Sequence, residues 1–566
     1  MPSLTRKTIK GRDYFYVRHC QRIDGKPKIV KTTYLGSLDS LLARLTARSA
    51  LPELRAAEIA SFGDVVALFD LARQLDLVSL IDARLPKRRQ GLSVGQYLLL
   101  AALNRALSPT SKARLAAWYQ STVLTRLLPA TAAQLSSQAF WNHLDFLQEA
   151  DIQVIESELA TRLIQRFKLS LHTLVYDGTN FFTYLDTNNP ATLPARGHNK
   201  QKRTDLRQVN LGMLVSTDFH VPLFHKVYTG NVNDSTEFKT ISQELQQRYG
   251  QLSKSCEHIT LIFDKGNNSQ EAFDNLKDSG FHFVGSLVPT QHPDLLAIPR
   301  KSFVPLSGER LKDCLAYRTR KVVFGVERAV LVTYNDNLLH GQLQGIGANL
   351  EKTRTKLRAL QQSLQRWREG KVKSGRKPTA PGVRNQIEQA LSAQFMKKLL
   401  EHELSEDPIP KLTFRTNAQA YAQLVRTQLG KTILFTDNDR WSDEEIVLGY
   451  RAQSQIESAF RDMKNPHFLG WSPMFHWTDG KIRAHAFCCV LALMLCSLLQ
   501  RALHQKGHDL SVPRMLELLG GIRETTVIFQ PEAGRTVPRT AKCLSALDSE
   551  QAALMAALEL ARYQAK

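Results

Sequence analysis

Residues Tyr450-Arg-Ala-Gln-Ser-Gln-Ile-Glu-Ser-Ala-Phe-Arg-Asp-Met-Lys464 decide how the rest of the sequence is interpreted. The stretch contains no Gly or Pro and predicts a helix. Residues three, four and seven apart share a helical face, so Tyr450, Gln453, Glu457 and Lys464 are expected to lie together. A neighbouring apolar face is formed by Ile456, Phe460 and Met463. An ordinary amphipathic helix shows the same spacing, so other parts of the chain must distinguish it from a functional helix.

The composition describes a globular protein of two to four domains with a polyanionic partner. The chain has 566 residues, 43% of them hydrophobic, and a net charge of +22. Nucleic acid is the first candidate partner for so basic a protein, and an acidic membrane surface is the second. The seven cysteines include no CxxC pair, so neither a disulfide framework nor a zinc site is predicted. The longest apolar run, residues 486–499, is too short to cross a bilayer and predicts a buried helix.

The apolar pattern changes from helical to strand-like at Leu171, which marks the start of a mixed sheet. Strands are predicted at residues 174–178, 181–184, 209–216, 223–228, 259–264 and 281–287, with helices at 235–248 and 269–277. This order of strands and helices predicts a mixed sheet with helices packed on it.

The remaining segments are expected to form accessory regions. Residues 1–36 predict a basic β-hairpin that is either a DNA-contacting arm or a solvated cap. Residues 37–169 are expected to be helical throughout. Their break at Ser108–Lys112 either marks a helix-turn-helix-like unit or is a packed connection. Residues 290–445 predict an insertion with a helical hairpin at 340–405, whose basic tip could hold DNA. Residues 446–510 are expected to complete the core, and 511–566 to form a helical tail.

Two aspartates follow apolar strands directly, and they suggest a metal site. Asp177 and Asp264 occupy such positions, where an Asp that only forms a turn is also common. Together with Glu457 they would make a set of three carboxylates. Oxygen ligands of this kind suit Mg²⁺ or Mn²⁺. Two such ions about 4 Å apart can activate a hydroxyl and stabilise the leaving oxygen of a phosphodiester.

At this point the chain resembles the DDE transposases, which have an RNase H-like core. Tyr450, Glu457 and Lys464 match the Y-x2-R-x3-E-x6-K signature of the bacterial insertion-sequence branch, but Gln453 stands where that branch has Arg. A long insertion before Glu457 is typical of one subfamily. Further similarity lies at 197–200, 205–208, 230–236, 476–477 and 483–485. The resemblance implies a mixed α+β and α/β fold, with an RNase H-like sheet flanked by helices, an N-terminal helical region and an inserted β-plus-helical-hairpin domain.

The resemblance also implies roles for individual residues. Asp177, Asp264 and Glu457 are expected to be catalytic and to bind two Mg²⁺ or Mn²⁺ ions. Residues expected to contact DNA are Tyr450, Gln453, Lys464, Arg461, His198, Lys200, Lys202, Arg203, Arg207 and Trp441. The basic run at 196–207 has a solvated loop as its alternative, and Trp441 either stacks on a base or packs in the protein. His485 and Cys488 are interpreted as core residues, and Asn231 and Asp234 as organisers of a loop over the site.

The function implied is a transposase that cuts the ends of its own element and joins the 3′-hydroxyls to target DNA. Its partners would be double-stranded DNA, as terminal inverted repeats and target, and further copies of itself in a dimer or larger assembly. We expect it in the bacterial cytoplasm, associated with the nucleoid and not with a membrane. Two alternatives stay open: an RNase H-like DNA nuclease that joins no strands, and a degenerate transposase acting as a DNA-binding repressor.

Overall fold

The computed structural model describes residues 2–23, 26–49, 53–87, 89, 91–186, 188–199, 201–232, 243–245, 259–531 and 537–565. The chain forms two compact units. The first comprises Met1–Gly63, Ser121–Val123 and Leu518–Lys566, and the second comprises Asp64–Gln120 and Leu124–Glu517. The predicted turn at residues 24–25 and most of the predicted helix at 235–248 lie outside the described residues.

The first unit contains two three-stranded antiparallel sheets. In order, the strands of one are β1 (Pro2–Ile9), β2 (Arg12–Ile23) and β3 (Lys26–Ser37). The other sheet pairs β4 (Leu54–Ser61) and β17 (Thr540–Leu544) with opposite edges of β16 (Arg523–Phe529). The unit also has helices α1 (Leu38–Ser49) and α19 (Ser549–Ala557). The predicted N-terminal hairpin is confirmed, and it has a third strand.

Two segments expected to be helical contain strands instead. Residues 54–61 form β4, and the supposed helical tail at 511–566 contains β16 and β17. The segment that forms β4 contains three Ala together with Leu, Arg and Glu, which favour helix. Pairing between β4 and β16, which are far apart in the sequence, overrides that local preference.

The second unit begins with a group of helices that carries much of the core. They are α2 (Gly63–Gln74), α3 (Leu77–Arg84), α4 (Val94–Leu107), α5 (Leu115–Gln120), α6 (Leu124–Leu127), α7 (Ser137–Leu144) and α8 (Glu149–Phe167). A capping box between Ser93 and Gln96 starts α4, whose residues are almost all buried. Between α4 and α5, Lys112–Arg114 form a single 3-10 turn.

A nine-stranded mixed sheet organises the second unit, in the order β10-β11-β12-β15-β9-β8-β5-β6-β7. The strands are β5 (Thr173–Thr183), β6 (Arg207–Ser216), β7 (Pro222–Thr229), β8 (Thr260–Ile262), β9 (His282–Leu287), β10 (Val304–Pro305), β11 (Cys314–Val323), β12 (Val326–Asn335) and β15 (Lys431–Thr436). The central strands β5, β8 and β9 are mutually parallel, and the other neighbours are antiparallel. Helices α9 (Gln270–Ser279) and α10 (Pro293–Leu296) flank β9 in sequence.

The insertion at 290–445 extends this sheet with four strands, β10, β11, β12 and β15, of which β15 pairs directly with β9. Its hairpin contains α11 (Asp336–Arg368), α12 (Ala380–Ala390), α13 (Met396–Leu399), β13 (Leu400–Leu404), β14 (Leu412–Thr416) and α14 (Ala418–Thr427). The hairpin was predicted to be helical to residue 405, which is wrong for its second arm. Phe395 has a left-handed backbone (φ 68°) that interrupts the helix, and β13 pairs with β14.

Four helices follow in the chain: α15 (Asp443–Arg451), α16 (Gln453–Lys464), α17 (Asp479–His504) and α18 (Val512–Gly520). All belong to the second unit except the last three residues of α18, which belong to the first. Within the described part of the chain, only α17 is long and apolar enough to cross a membrane by length and composition. Nearly all of its most apolar window is buried inside the protein. The prediction that this apolar run forms a buried helix is confirmed.

Candidate active site

The pairing of β5 with β8 places Asp177, within β5, near Asp264, which follows β8. The parallel register of β5 and β8 pairs Val175 with Ile262. Two residues further along each chain come Asp177 and Asp264. Because neighbouring strands are about 4.8 Å apart, continuing the register brings the two aspartates next to each other. The sequence pattern predicted strands at 174–178 and 181–184, with Asp177 at a strand end, which is wrong: β5 is continuous to Thr183, and Asp177 pairs with Met213 on β6. Only the register shows that β5 and β8 are adjacent.

A third strand adds a hydroxyl to this row. Ile262 on β8 pairs with Val284 on β9, so continuing the register places Ser286 beside Asp264. Nothing in the sequence singled out Ser286, because a serine in an apolar strand has no distinctive pattern. It belongs to the site since Tyr450 donates a hydrogen bond of 2.8 Å from its hydroxyl to Ser286 Oγ.

Each aspartate has one carboxylate oxygen held by the backbone. Asp177 Oδ1 accepts a hydrogen bond of 2.8 Å from the amide of Gly178. Asp264 Oδ1 accepts one of 2.7 Å from the amide of Lys265. These contacts fix the rotamers of two half-buried side chains, one within β5 and one directly after β8, which is the pre-organisation that a binding site requires.

Tyr450 links Asp264 with the helix that carries Glu457. The pKa of Tyr450 is raised to about 12, mainly by burial and also by the nearby negative charges of Asp264 and Glu457, while the hydrogen bond to Ser286 lowers it. Both carboxylates therefore lie close enough to act on the same phenol. The phenol stays protonated at neutral pH and remains a hydrogen-bond donor.

The stretch 450–464 is not one helix, contrary to the sequence prediction. Helix α15 ends at Arg451 and α16 begins at Gln453, with Ala452 between them. The physical reason is that the two helices pack on different strands, α15 on β9 and β15 and α16 on β5 and β6. Tyr450 and Glu457 thus meet at the site by tertiary packing and not by sharing a helical face. The predicted burial of the apolar face is confirmed for Ile456, Phe460 and Met463.

Lys464 lies over the strand that carries Asp177. Its Nζ donates a hydrogen bond of 2.5 Å to Thr179 Oγ1 and lies 5.4 Å from the centroid of the Phe181 ring. Thr179 and Phe181 follow Asp177 at alternate positions, so all three belong to one face of β5. Glu457 is two helical turns before Lys464, about 10 Å along the axis.

The donor set fits a hard divalent cation by its chemistry, because Asp177, Asp264 and Glu457 offer only carboxylate oxygens. The three side chains do not converge on a single point. Across the described ranges, no group of three or more His, Cys, Asp or Glu side chains could hold a metal ion as placed. The assignment of these residues as metal ligands therefore stays a prediction.

Gln453 and Arg461 differ in their surroundings, although both were predicted to contact DNA. Gln453 is the first residue of α16, and its buried Nε2 has no hydrogen-bond partner among the residues described. Arg461 is exposed and donates from Nη2 to Ser458 Oγ at 3.1 Å. Their contact with DNA remains a prediction.

The basic run at 196–207 contains both exposed and internally bound cations. His198 and Lys202 are exposed, and Lys200 lies outside the described residues. Arg203 forms two hydrogen bonds with Asp205, of 2.7 and 2.6 Å, and lowers the pKa of Asp205 to about 2. Arg207 donates to the backbone carbonyls of residues 186 and 189, so it holds the loop before β6. Contact of this run with phosphate remains a prediction.

Gln208 joins three segments that resemble the transposases. Its Nε2 donates to the carbonyls of His198 at 3.0 Å and Gly230 at 2.8 Å. Gly197 and Gly230 allow this close approach, since a Cβ on Gly197 would lie 2.0 Å from the Gly230 carbonyl oxygen. Nearby, Asn210 Nδ2 donates to the Val232 carbonyl at 2.9 Å. In the sequence, this network was indicated only by the short segments at 197–200, 205–208 and 230–236, which contain Gly197, Gln208 and Gly230. Asp234, predicted to organise a loop over the site, lies outside the described residues.

Two tryptophans near the site have structural contacts. Trp441 packs against Gly449, where an added Cβ would lie 2.9 Å from the ring, and its carbonyl accepts from Arg318 at 2.8 Å. Stacking of Trp441 on a base remains a prediction. Trp471 is fully buried and stacks on Phe181 with centroids 4.1 Å apart. The carbonyl of Trp471 also contacts the ring Nε2 of His485 at 3.0 Å.

His485, Cys488 and Lys112 are all buried. This burial confirms the interpretation of His485 and Cys488 as core residues. Lys112 was part of the proposed helix-turn-helix-like unit, but only 6% of it is exposed. It therefore cannot reach a DNA groove from the surface, and the packed connection is the better interpretation at Lys112.

Comparison with known proteins adds a family assignment. The sequence profile described as "Transposase DDE domain" matches residues 173–495. No curated protein matches the chain.

Two kinds of solved structure show a distant likeness. A piggyBac transposase synaptic complex with hairpin DNA is 9% identical over 81% of this chain and 78% of that one, with a TM-score of 0.37. A Mos1 transposase paired-end complex is 17% identical over 33% of this chain and 62% of that one, with a TM-score of 0.14. Both scores are too low to establish a shared fold on their own.

Proposed function

The chain belongs to the DDE-domain family of DNA transposases, and we propose that it cuts DNA at the ends of its own element and joins the freed 3′-hydroxyls to target DNA. The observation that carries this proposal is the strand register that continues to Asp177 beside Asp264, with Glu457 acting on the same tyrosine as Asp264. The order β7-β6-β5-β8-β9, with three antiparallel strands followed by two parallel ones, supports an RNase H-like core for this site.

Asp177, Asp264 and Glu457 would hold the divalent ions, Mg²⁺ or Mn²⁺. Such ions, when bound, lower the pKa of the attacking water or hydroxyl and stabilise the leaving oxygen. The two aspartates are fixed by backbone amides on rigid strands, whereas Glu457 lies on a separate helix. The catalytic geometry thus depends on how α16 packs on β5.

Tyr450 and Lys464 would position the DNA at this edge. The neutral Tyr450 hydroxyl keeps α15 against β9 through Ser286, so its main role is positioning. Lys464 is exposed and close to Thr179, two residues beyond Asp177 on β5. Its ammonium would neutralise a phosphate next to the one that reacts.

Transposition also requires two DNA ends in one assembly, and we propose that at least two copies of the chain bind them together. The net charge of +22 supplies the attraction for two duplexes. Contacts between cationic side chains and DNA phosphates release counterions from the DNA. DNA binding is therefore expected to weaken steeply as the salt concentration rises.

The test uses labelled duplexes that carry the DNA flanking the coding sequence, with a target plasmid and Mg²⁺ or Mn²⁺. Wild-type protein is expected to nick the duplex and to join it to the plasmid. Asp177→Asn, Asp264→Asn and Glu457→Gln should each reduce both steps by about a thousandfold, several kcal/mol of transition-state stabilisation. DNA binding should persist in all three variants.

The matched control is Asp439→Asn, an exposed carboxylate that follows β15 and pairs with Arg320 at 2.9 Å. It should retain full activity. Cutting without joining by the wild type would favour the nuclease alternative, and binding without cutting would favour the repressor. Full activity in Glu457→Gln would contradict the assignment of the site.

A further inference from the structure

A cavity of about 840 Å³ lies in the second unit, away from the carboxylates. It lies between the α4–α5 connection, helix α7 and the segment that follows α16. Its volume is in the range of sites that bind small molecules. The segment at 466–485 contributes most of one wall, and the proposed function gives it no role.

The floor of this cavity is cationic. Lys112 and Arg105 line it and are only 6% and 8% exposed. Lys112 Nζ has no hydrogen-bond partner among the described residues and lies 4.9 Å from the Phe140 ring centroid. Arg105 donates to the carbonyls of Gly470 at 2.8 Å and Thr110 at 2.5 Å, but its Nε is likewise unpartnered.

Positive charge exceeds negative charge in the cavity. Lys481 is a third cation in the lining, and Asp145 is the single carboxylate there. Within the part of the chain that the structure describes, neither Lys112 nor Arg105 forms an ion pair. Burying an unpaired charge is unfavourable unless a counter-charge satisfies it, so the cavity is suited to an anion.

Aromatic rings surround the entrance. Phe475 and Trp477 are 62% and 64% exposed, and Trp141 lies deeper. Lys481 Nζ is 5.7 Å from the Trp141 ring centroid and 6.0 Å from that of Trp477. Exposed aromatic rings beside cations bind the bases and phosphates of unpaired nucleotides, since every base can stack on a ring.

We propose that this cavity binds one unpaired nucleotide of the DNA, with its phosphate on Lys112 and Arg105 and its base among Trp141, Phe475 and Trp477. The proposal rests on the proposed function, because it takes the DNA to be the transposase substrate.

Strand β5 connects the cavity with the carboxylates. Thr183 at the end of β5 forms a β-bridge with Met474, the residue before Phe475. Six residues of strand separate Thr183 from Asp177, about 20 Å. The bound nucleotide is therefore several positions away from the phosphate that reacts, and the cavity holds the DNA end without taking part in the chemistry.

The experiment measures binding of the full chain to a blunt duplex and to the same duplex with a short unpaired thymidine tail, by fluorescence anisotropy. Wild-type protein is expected to prefer the tailed duplex. Lys112→Met should reduce that preference roughly tenfold or more, as expected for a lost charge-assisted contact. Trp477→Ala, an exposed position where folding is not at risk, should reduce it roughly tenfold.

Lys87→Met is the matched control, because Lys87 is an exposed lysine of the same unit outside the cavity lining. It should leave the preference unchanged. Equal binding of both duplexes by the wild type, or an unchanged preference in both cavity variants, would overturn the proposal. Thymidine monophosphate or inorganic phosphate binding as tightly as the tail would assign the cavity to a free phosphate compound and also overturn it.

Asp177→Asn separates this inference from the proposed function. It should cut no DNA and keep the preference for the tail. If the wild type cuts nothing but prefers the tail, the proposed function fails and the cavity assignment stands. If the wild type cuts and joins DNA without any tail preference, the reverse holds.

Discussion

Replacing Lys112 by methionine is predicted to stabilise the protein at neutral pH. Burial lowers the pKa of Lys112 from its usual 10.5 to about 8. The difference between these pKa values corresponds to about 3 kcal/mol. Below pH 8 the ammonium is charged in both the folded and unfolded states, so the full desolvation penalty applies. Methionine keeps most of the side-chain volume and carries no charge, so Lys112→Met should raise the free energy of unfolding at pH 7 by up to about 3 kcal/mol.

The advantage of the variant should disappear as the pH rises. Between pH 8 and 10.5 the folded protein has released the Lys112 proton while the unfolded chain still binds it, so wild-type stability increases with pH relative to the variant. Urea unfolding of both proteins at pH 7 and near pH 10 measures this change. Comparing the two proteins at each pH cancels the titration of every other group. Lys87→Met, an exposed lysine, should match the wild type within about 0.5 kcal/mol.

A less stable Lys112→Met protein at pH 7 would refute this reasoning, because it would mean that the charge of Lys112 is satisfied by the folded protein. A stability difference that does not change between pH 7 and pH 10 would also refute it, since the effect would then come from packing. An anionic ligand should reduce the difference at pH 7, because it binds the wild type and stabilises only that protein.

The other predictions concern the active site and the network beside it. Lys464→Met should weaken DNA binding and lower the salt dependence by about one counterion, and an unchanged salt slope measured by anisotropy would refute phosphate contact. Gly197→Ala should lower the thermal midpoint, because its Cβ would lie 2.0 Å from a carbonyl oxygen. Gly347→Ala, on the exposed side of α11 with open space around it, should instead stabilise the protein by up to about 1 kcal/mol; equal effects would contradict the close approach. Tyr450→Phe and Ser286→Ala should each cost about 1 kcal/mol by urea unfolding, and the double variant should cost less than the sum, whereas strict additivity would show that the two hydroxyls do not interact.

Local sequence patterns predicted much of the core. Nearly continuous apolar runs identified the strands that became β5, β6, β7, β8 and β9, because a strand buried on both faces has apolar residues at successive positions. The same logic identified α17 as a buried helix. Patterns failed at β4, whose residues favour helix, because the pairing partner β16 lies at the other end of the sequence.

The candidate site was predicted in composition but not in geometry. Asp177, Asp264 and Glu457 were identified because two carboxylates follow apolar runs and a third lies on a predicted helix, and the resemblance to the DDE transposases implied their roles. The contribution of Ser286 was not predictable, since its place in the site comes only from the pairing of β8 with β9. The loop-holding role of Arg207 was also missed, because a basic run gives no sign of which cations the protein binds internally.

The sequence by itself determined the residue types of the site, the strand that leads into each aspartate and the positive charge that attracts DNA. These properties depend on short-range periodicity and on composition, which can be recognised in one segment without knowing which other segments it packs against. Tertiary structure alone decided the adjacency of Asp177 and Asp264, the break at Ala452 that separates Tyr450 from Glu457, and the burial of Lys112 beneath an aromatic entrance. Each of these depends on free energies of packing and strand pairing between segments distant in the chain, and no local pattern contains that information.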